Sequence, residues 1–268
     1  MTASAVALPA GFRSHVANIG IKDDTPDFVV VATERAVPTA AVFTRSRFAG
    51  PSVTLSRTQV ADGLAAAVVV ISKNANVATG PQGHEDAIEV VRATAERLGC
   101  DPSEVVIAST GVIGRPYPME RVRAGIAALP GQLSSTDALG PATGMMTTDT
   151  VPKLAEATVA GSGARVVGMA KGVGMIEPDM ATHISLLFTD AEVAAADLDA
   201  AFRRVVDRTF NCVSIDTDTS TSDTSVVMAS GAAGPVDPDA FERALYDVAV
   251  DLTRQIARDG EGAHSLIE

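Results

Sequence analysis

The chain has no tryptophan, and with two tyrosines and eight phenylalanines its aromatic share is 4% of 268 residues. A core built from it must therefore be aliphatic, carried by alanine and valine. Cysteine is scarce too. Cys100 and Cys212 are too few for a disulfide framework and have no metal-like spacing with the four histidines. No metal is expected, and a reduced, cytoplasmic setting is the simplest one. Net positive charge is also missing. A formal charge of −12 argues against nucleic acid as a partner, because phosphate binding depends on Lys and Arg displacing counterions. A small, amine-bearing substrate suits this charge better. No segment reaches the roughly 18 consecutive apolar residues of a membrane helix. The opening MTASAVALPAGFRSH has a short apolar run with no basic leader, so neither a membrane span nor a secretion signal is expected. A Gly-x-Ser-x-Gly elbow and a Ser/His/Asp set are likewise absent around Thr182.

What is present is a globular composition, 46% hydrophobic and 20% charged, of a length that fits one large α/β domain or two smaller ones. Short β-branched runs predict buried strands at 28–33, 66–71, 105–108, 164–169, 184–188 and 225–229. The helical period appears in four places. In 84–98 the residues Ile88, Val91, Ala95 and Leu98 share a face and Gly99 supplies the stop. In 118–129 Val122, Ile126 and Leu129 do the same ahead of Pro130-Gly131. Residues 191–208 carry Val193, Leu198, Phe202, Val205 and Val206. The clearest stripe is Phe241, Leu245, Val248, Leu252 and Ile256 in 238–258, with Asp237 as N-cap before Pro238 and Gly260 as the C-terminal cap. Apolar strands loosely alternating with amphipathic helices predict a layered α/β or α+β domain whose sheet is buried on both faces.

Four segments are polar and glycine-rich in ways a core does not require. Ser109-Thr-Gly-Val-Ile-Gly114 follows a strand directly, where small residues let donors turn toward an oxyanion; an ordinary strand-to-loop turn has the same spacing. Met146-Thr-Thr-Asp-Thr-Val-Pro-Lys153 is dense in hydroxyls, which suits a substrate contact and equally a turn. Asn211 to Thr224 holds three Asp among Ser and Thr. It lacks the Gly and terminal Glu of a calcium loop, so a hydrogen-bonded loop lining a pocket is the better reading. The fourth segment is Lys171-Gly-Val-Gly-Met-Ile-Glu-Pro-Asp-Met-Ala-Thr182. Here Gly172 and Gly174 permit close backbone approach and Pro178 fixes a bend. Lys171, at the end of an apolar strand, needs a carboxylate from a substrate or from Glu177 or Asp179. An internal threonine is a poor nucleophile. If the Ala181–Thr182 bond is cut, however, Thr182 gains an α-amine of pKa about 8 that serves as its own general base.

Together these segments, with Asp218-Thr-Ser-Thr-Ser-Asp-Thr224 and Asp259-Gly-Glu-Gly-Ala263, resemble the ornithine acetyltransferase (glutamate N-acetyltransferase) family of arginine biosynthesis. Ser214-Ile-Asp-Thr-Asp218 and Glu177-Pro-Asp179 look most like the type found with clavulanic acid genes. The resemblance implies an αββα sandwich and self-cleavage between Ala181 and Thr182. Residues 1–181 would form an α-chain and 182–268 the beginning of a β-chain, both contributing to one sandwich domain, within a larger homo-oligomer. It implies Thr182 as nucleophile, Thr110 and Gly111 as the oxyanion hole, and Thr148, Lys171, Thr182 and Glu261 as substrate contacts. The implied reaction is ping-pong, from N-acetylornithine to glutamate, with no cofactor. The family also continues past the Asp-Gly-Glu-Gly-Ala motif into a further lobe that these 268 residues lack, and it usually has an apolar residue where His183 stands. Two alternatives accompany this expectation: a self-processing amidase or aminopeptidase that uses water as acceptor, and a non-catalytic chain acting as a binding subunit.

Overall fold

The computed structural model describes residues 6–177 and 183–267. Its strands are β1 (Arg13–Ala17), β2 (Phe28–Phe43), β3 (Leu64–Ile71), β4 (Val105–Ser109), β5 (Lys153–Thr158), β6 (Arg165–Lys171), β7 (Ile184–Glu192) and β8 (Thr224–Pro235). Its helices are α1 (Pro51–Gln59), α2 (Gly80–Leu98), α3 (Met119–Ala127), α4 (Leu139–Gly144), α5 (Ala195–Asp207) and α6 (Pro238–Arg258). The strands hydrogen-bond in the order β4-β3-β2-β8-β7-β6-β5, with β1 also against β2. The first part of β2 pairs with β1 and β3; after a register shift between Ala32 and Val37, its residues Thr39 to Phe43 pair with β8. One strand thus leaves one sheet and enters another through an irregularity, the usual way to turn a sandwich corner.

The period of two along the strands assigns the layers. Val29 and Val31 on β2, Val68 and Val70 on β3, and Val106 and Ala108 on β4 share a cluster with Val167 and Met169 on β6, Leu186 and Phe188 on β7, and Val226 and Met228 on β8. That cluster is the space between two facing sheets. The alternate residues point outward. Val30, Val69 and Ile107 meet α2 and α3 through Val90, Val91, Val122 and Ile126. Val166, Leu187 and Val227 meet α5 and α6 through Phe202, Val205, Leu245 and Leu252. The result is helix, sheet, sheet, helix: the αββα sandwich. Where a strand is covered on both faces, as in β3, β4 and most of β7, its sequence reads as a nearly unbroken apolar run.

Asp237 caps α6, its carboxylate accepting from the Ala240 N–H at 2.8 Å. Gly99 ends α2 in the left-handed conformation, φ 75°. Other expectations need correction. Asp259, not Gly260, is the C-cap of α6. The helix expected from residue 191 begins at Ala195, because Ala191 and Glu192 extend β7 along β8. On α2 the buried face is centred on Ala87, Val90, Val91 and Thr94, while Ile88 and Leu98 are half-buried. Elements β1, β5, α1 and α4 carried no recognised signal; KLAEAT of β5 mixes charge with weak strand formers. Among the described residues no helix is long and apolar enough to cross a membrane.

Candidate active site

The ends of β4 and β6 and the turns following them define a cavity of about 430 Å³, lined among others by Thr110, Gly111, Thr148, Lys171, Asp216 and Glu261. Five of the sequence-selected residues, from four separate segments, therefore meet in one place. Thr182 and Ala181 lie outside the described residues. Two roomier clefts, of about 610 and 710 Å³, contain none of the selected residues. Chemistry rather than volume distinguishes the site.

Thr110 leaves the end of β4 and is almost fully buried. Its N–H is committed to the Ile71 carbonyl at 3.1 Å. Its available donor is therefore the hydroxyl, which accepts from Lys171 Nζ at 3.4 Å and so keeps its own proton to give. The Gly111 N–H has no acceptor among the described residues. Gly111 has φ +128°, and a Cβ there would stand 2.2 Å from the Lys73 carbonyl carbon. Only glycine lets this turn, which lines the cavity, press against the Lys73–Asn74 backbone. The pair can meet an oxyanion with one hydroxyl and one backbone donor.

Lys171 ends β6 and is buried. The partner expected for it from Glu177 is absent: Glu177 accepts from the Ser214 hydroxyl at 2.7 Å, and Asp179 lies outside the described residues. Among the described residues it pairs with Asp149, at 4.0 Å. Burial lowers the Lys171 pKa, and Asp149 opposes that shift. For Asp149 burial acts upward, but the charges of Lys171 and Lys153, with hydrogen bonds from Lys153 and the Gly172 N–H, outweigh it and hold the carboxyl below its ordinary range. Lys171 thus offers a buried ammonium with one long hydrogen bond and one long ion pair. Such a group favours an anionic ligand.

Glu261 is exposed and lines the cavity beside the turn after β6, its N–H donating to the Val173 carbonyl at 2.5 Å. A Cβ on Gly174 would stand 2.8 Å from a Glu261 carboxylate oxygen, so this loop and the Glu261 side chain are close neighbours. The loop 211–224 does line the pocket, through Asp216, Asp218, Ser220, Thr221 and Ser222. Asp216 accepts from the backbone N–H groups of Met175 and Ile176, the latter at 2.9 Å, and so clamps the chain ahead of residue 178. On the far side of that segment, the His183 N–H donates to Asp223 Oδ1 at 3.0 Å. Sequence reasoning passed over Lys153, Asp149, Asp259 and Asp216 as site residues. For Lys153, Asp149 and Asp259 the signal is a charged side chain that turns out to be enclosed, and for the exposed Asp216 it is a backbone clamp; both depend on tertiary packing.

Residues 13–268 match the ArgJ family. The chain is 49% identical over 268 residues to the arginine biosynthesis bifunctional protein ArgJ 2 of Nostoc sp. (strain PCC 7120), covering all of this chain and 69% of that protein. It is 54% identical over 269 residues to the glutamate N-acetyltransferase Oat2 of Streptomyces clavuligerus, covering all of this chain and 68% of that protein. Among solved structures it is similar to ornithine acetyltransferase of Mycobacterium tuberculosis complexed with ornithine, with TM-score 0.54, 30% identity, and 66% of this chain and 96% of that one covered.

Proposed function

The chain belongs to the ArgJ family, and from that membership we propose that it moves an acetyl group from N-acetylornithine to glutamate through an acetyl ester on Thr182. The observation that carries the reading is the meeting of Thr110, Gly111, Thr148, Lys171 and Glu261 around one cavity. In this reading the Thr182 hydroxyl first attacks the Ala181 carbonyl. The C–N bond breaks in an N→O shift, and water hydrolyses the ester. The products are a carboxylate at Ala181 and a free amine at Thr182, with 1–181 as one chain and residues from 182 onward as the other. The enzyme would be an α/β heterodimer, built into a larger homo-oligomer and working in the cytoplasm.

The Thr182 Oγ then attacks the acetyl carbon while its α-amine, of pKa about 8, takes the hydroxyl proton. The developing oxyanion meets the Thr110 hydroxyl and the Gly111 N–H. Collapse breaks the amide bond, and the proton passes from the α-amine to the departing amine of ornithine. An uncharged glutamate amine attacks the ester in turn, and the hydroxyl is regenerated. Both substrates carry an α-carboxylate, which Lys171 receives; Thr148 adds a hydroxyl contact, and Glu261 receives an amino group. A two-substrate exchange site needs this shared recognition.

The purified chain should appear in mass spectrometry as two polypeptides divided between Ala181 and Thr182, with Thr182→Ala remaining whole. It should convert glutamate to N-acetylglutamate when given N-acetylornithine. Consumption of N-acetylornithine at one rate with and without glutamate would mean that water is the acceptor, and the transferase reading would be lost.

A further inference from the structure

Lys153 is fully enclosed, at 0% exposure, although it opens a strand at the end of a sheet. Its ammonium donates to Asp149 Oδ1 at 2.8 Å and to Asp259 Oδ2 at 2.6 Å. Both carboxylates hold the backbone of the cavity wall. Asp149 accepts from the Thr147 N–H at 3.1 Å and the Gly172 N–H at 2.7 Å, and faces Lys171 at 4.0 Å. Asp259 accepts from the Thr150 N–H at 3.1 Å and from the Thr150 hydroxyl. Thr148 lies between Thr147 and Asp149, Lys171 directly precedes Gly172, and Glu261 follows Asp259 by two residues. Each of the three residues read above as recognising the polar ends of the substrate is thus tied to one buried cluster of two ammonium groups and two carboxylates.

Packing alone does not call for such a cluster, since an apolar side chain at a buried ion-pair position commonly serves stability as well or better. What an ion cluster provides is directional fixing of several backbone segments at once. We propose that Lys153 is a positioning residue that sets the mutual geometry of Thr148, Lys171 and Glu261, and so governs recognition of the amino-acid part of both substrates without touching the reacting atoms. The inference rests on the acetyltransferase reading and names the residue behind its substrate selectivity.

The test compares the full-length chain with Lys153→Met on two acetyl donors. N-acetylornithine carries the α-carboxylate and the amine; p-nitrophenyl acetate offers only an acetyl group. Misplacement of recognition groups by an ångström or so should raise KM for N-acetylornithine and for glutamate together, by about tenfold or more. Turnover of p-nitrophenyl acetate and cleavage before Thr182 should stay within about twofold of the parent. Unchanged KM values overturn the proposal, as does an equal loss on both donors, which would make Lys153 scaffold only. If Lys153→Met does not fold, Asp259→Asn keeps the shape and removes one charge, and the same split should appear at about threefold; its absence again overturns the proposal. A parent chain that turns over p-nitrophenyl acetate but transfers nothing from N-acetylornithine overturns the acetyltransferase reading instead. The Lys153 proposal is then decided by ornithine affinity in calorimetry, where an unchanged Kd in Lys153→Met counts against it.

Discussion

His183 shows how one side chain beside the proposed cleavage position is controlled by its surroundings. Its imidazole is buried, packs on the Phe210 ring at 4.7 Å between centroids, and has Nε2 without a hydrogen-bond partner among the described residues. Burial first, and the positive charge of Lys171 second, pull its pKa down to about 3. Asp223, which holds the His183 N–H, is pushed well above its ordinary value by burial. A base as weak as this imidazole takes no proton near neutral pH, so His183 acts as an apolar-like neighbour, which accords with the proposed role of the Thr182 amine as general base. The sign of the pH effect follows. Above pH 6.5 the ring is neutral folded or unfolded; between 6.5 and 3 only the unfolded chain gains the proton, so stability falls with pH. By linkage the loss reaches about 2 kcal/mol at pH 5 relative to pH 7. Urea denaturation at the two pH values should show this contribution in the parent and not in His183→Leu.

At the scale of elements, the docking of α6 on β6 connects the core to the site, because α6 is capped by Asp259 and the turn that follows carries Glu261. Gly168 on β6 makes the approach close: a Cβ there would stand 2.7 Å from Val248 Cγ1 and 2.8 Å from Leu252 Cδ1. Gly168→Ala should therefore push the helix outward and cost about 1–3 kcal/mol, read from the urea midpoint. The helix itself was legible in sequence, since its stripe, its Asp237 cap and Pro238 in the first turn are local signals. Strand β5 was not. Lys153 and Glu156 obscure its pattern, and its place depends on pairing with β6 and on the carboxylates that neutralise Lys153.

For the whole molecule, the proposed cut would separate β7, α5, β8 and α6 from everything before them. Yet β7 pairs with β6, β8 pairs with β2, and all four strands share the core between the sheets. The two polypeptides should therefore elute together in native size-exclusion chromatography and part only in denaturant; separation under native conditions would contradict this.

The sequence by itself determined the layered architecture, because strands covered on both faces must be apolar throughout, and covering helices must show a period near 3.6. It also determined which short segments carry chemistry, because tight turns and polar loops need particular residue types locally. Only the tertiary structure decided that Thr110 offers its hydroxyl rather than its N–H, that Lys171 faces Asp149 rather than Glu177, and that Lys153 ties the cavity wall together. Those outcomes depend on partners far apart in the chain, and a charged side chain does not reveal in its own sequence context whether it will be desolvated or which group will answer its charge.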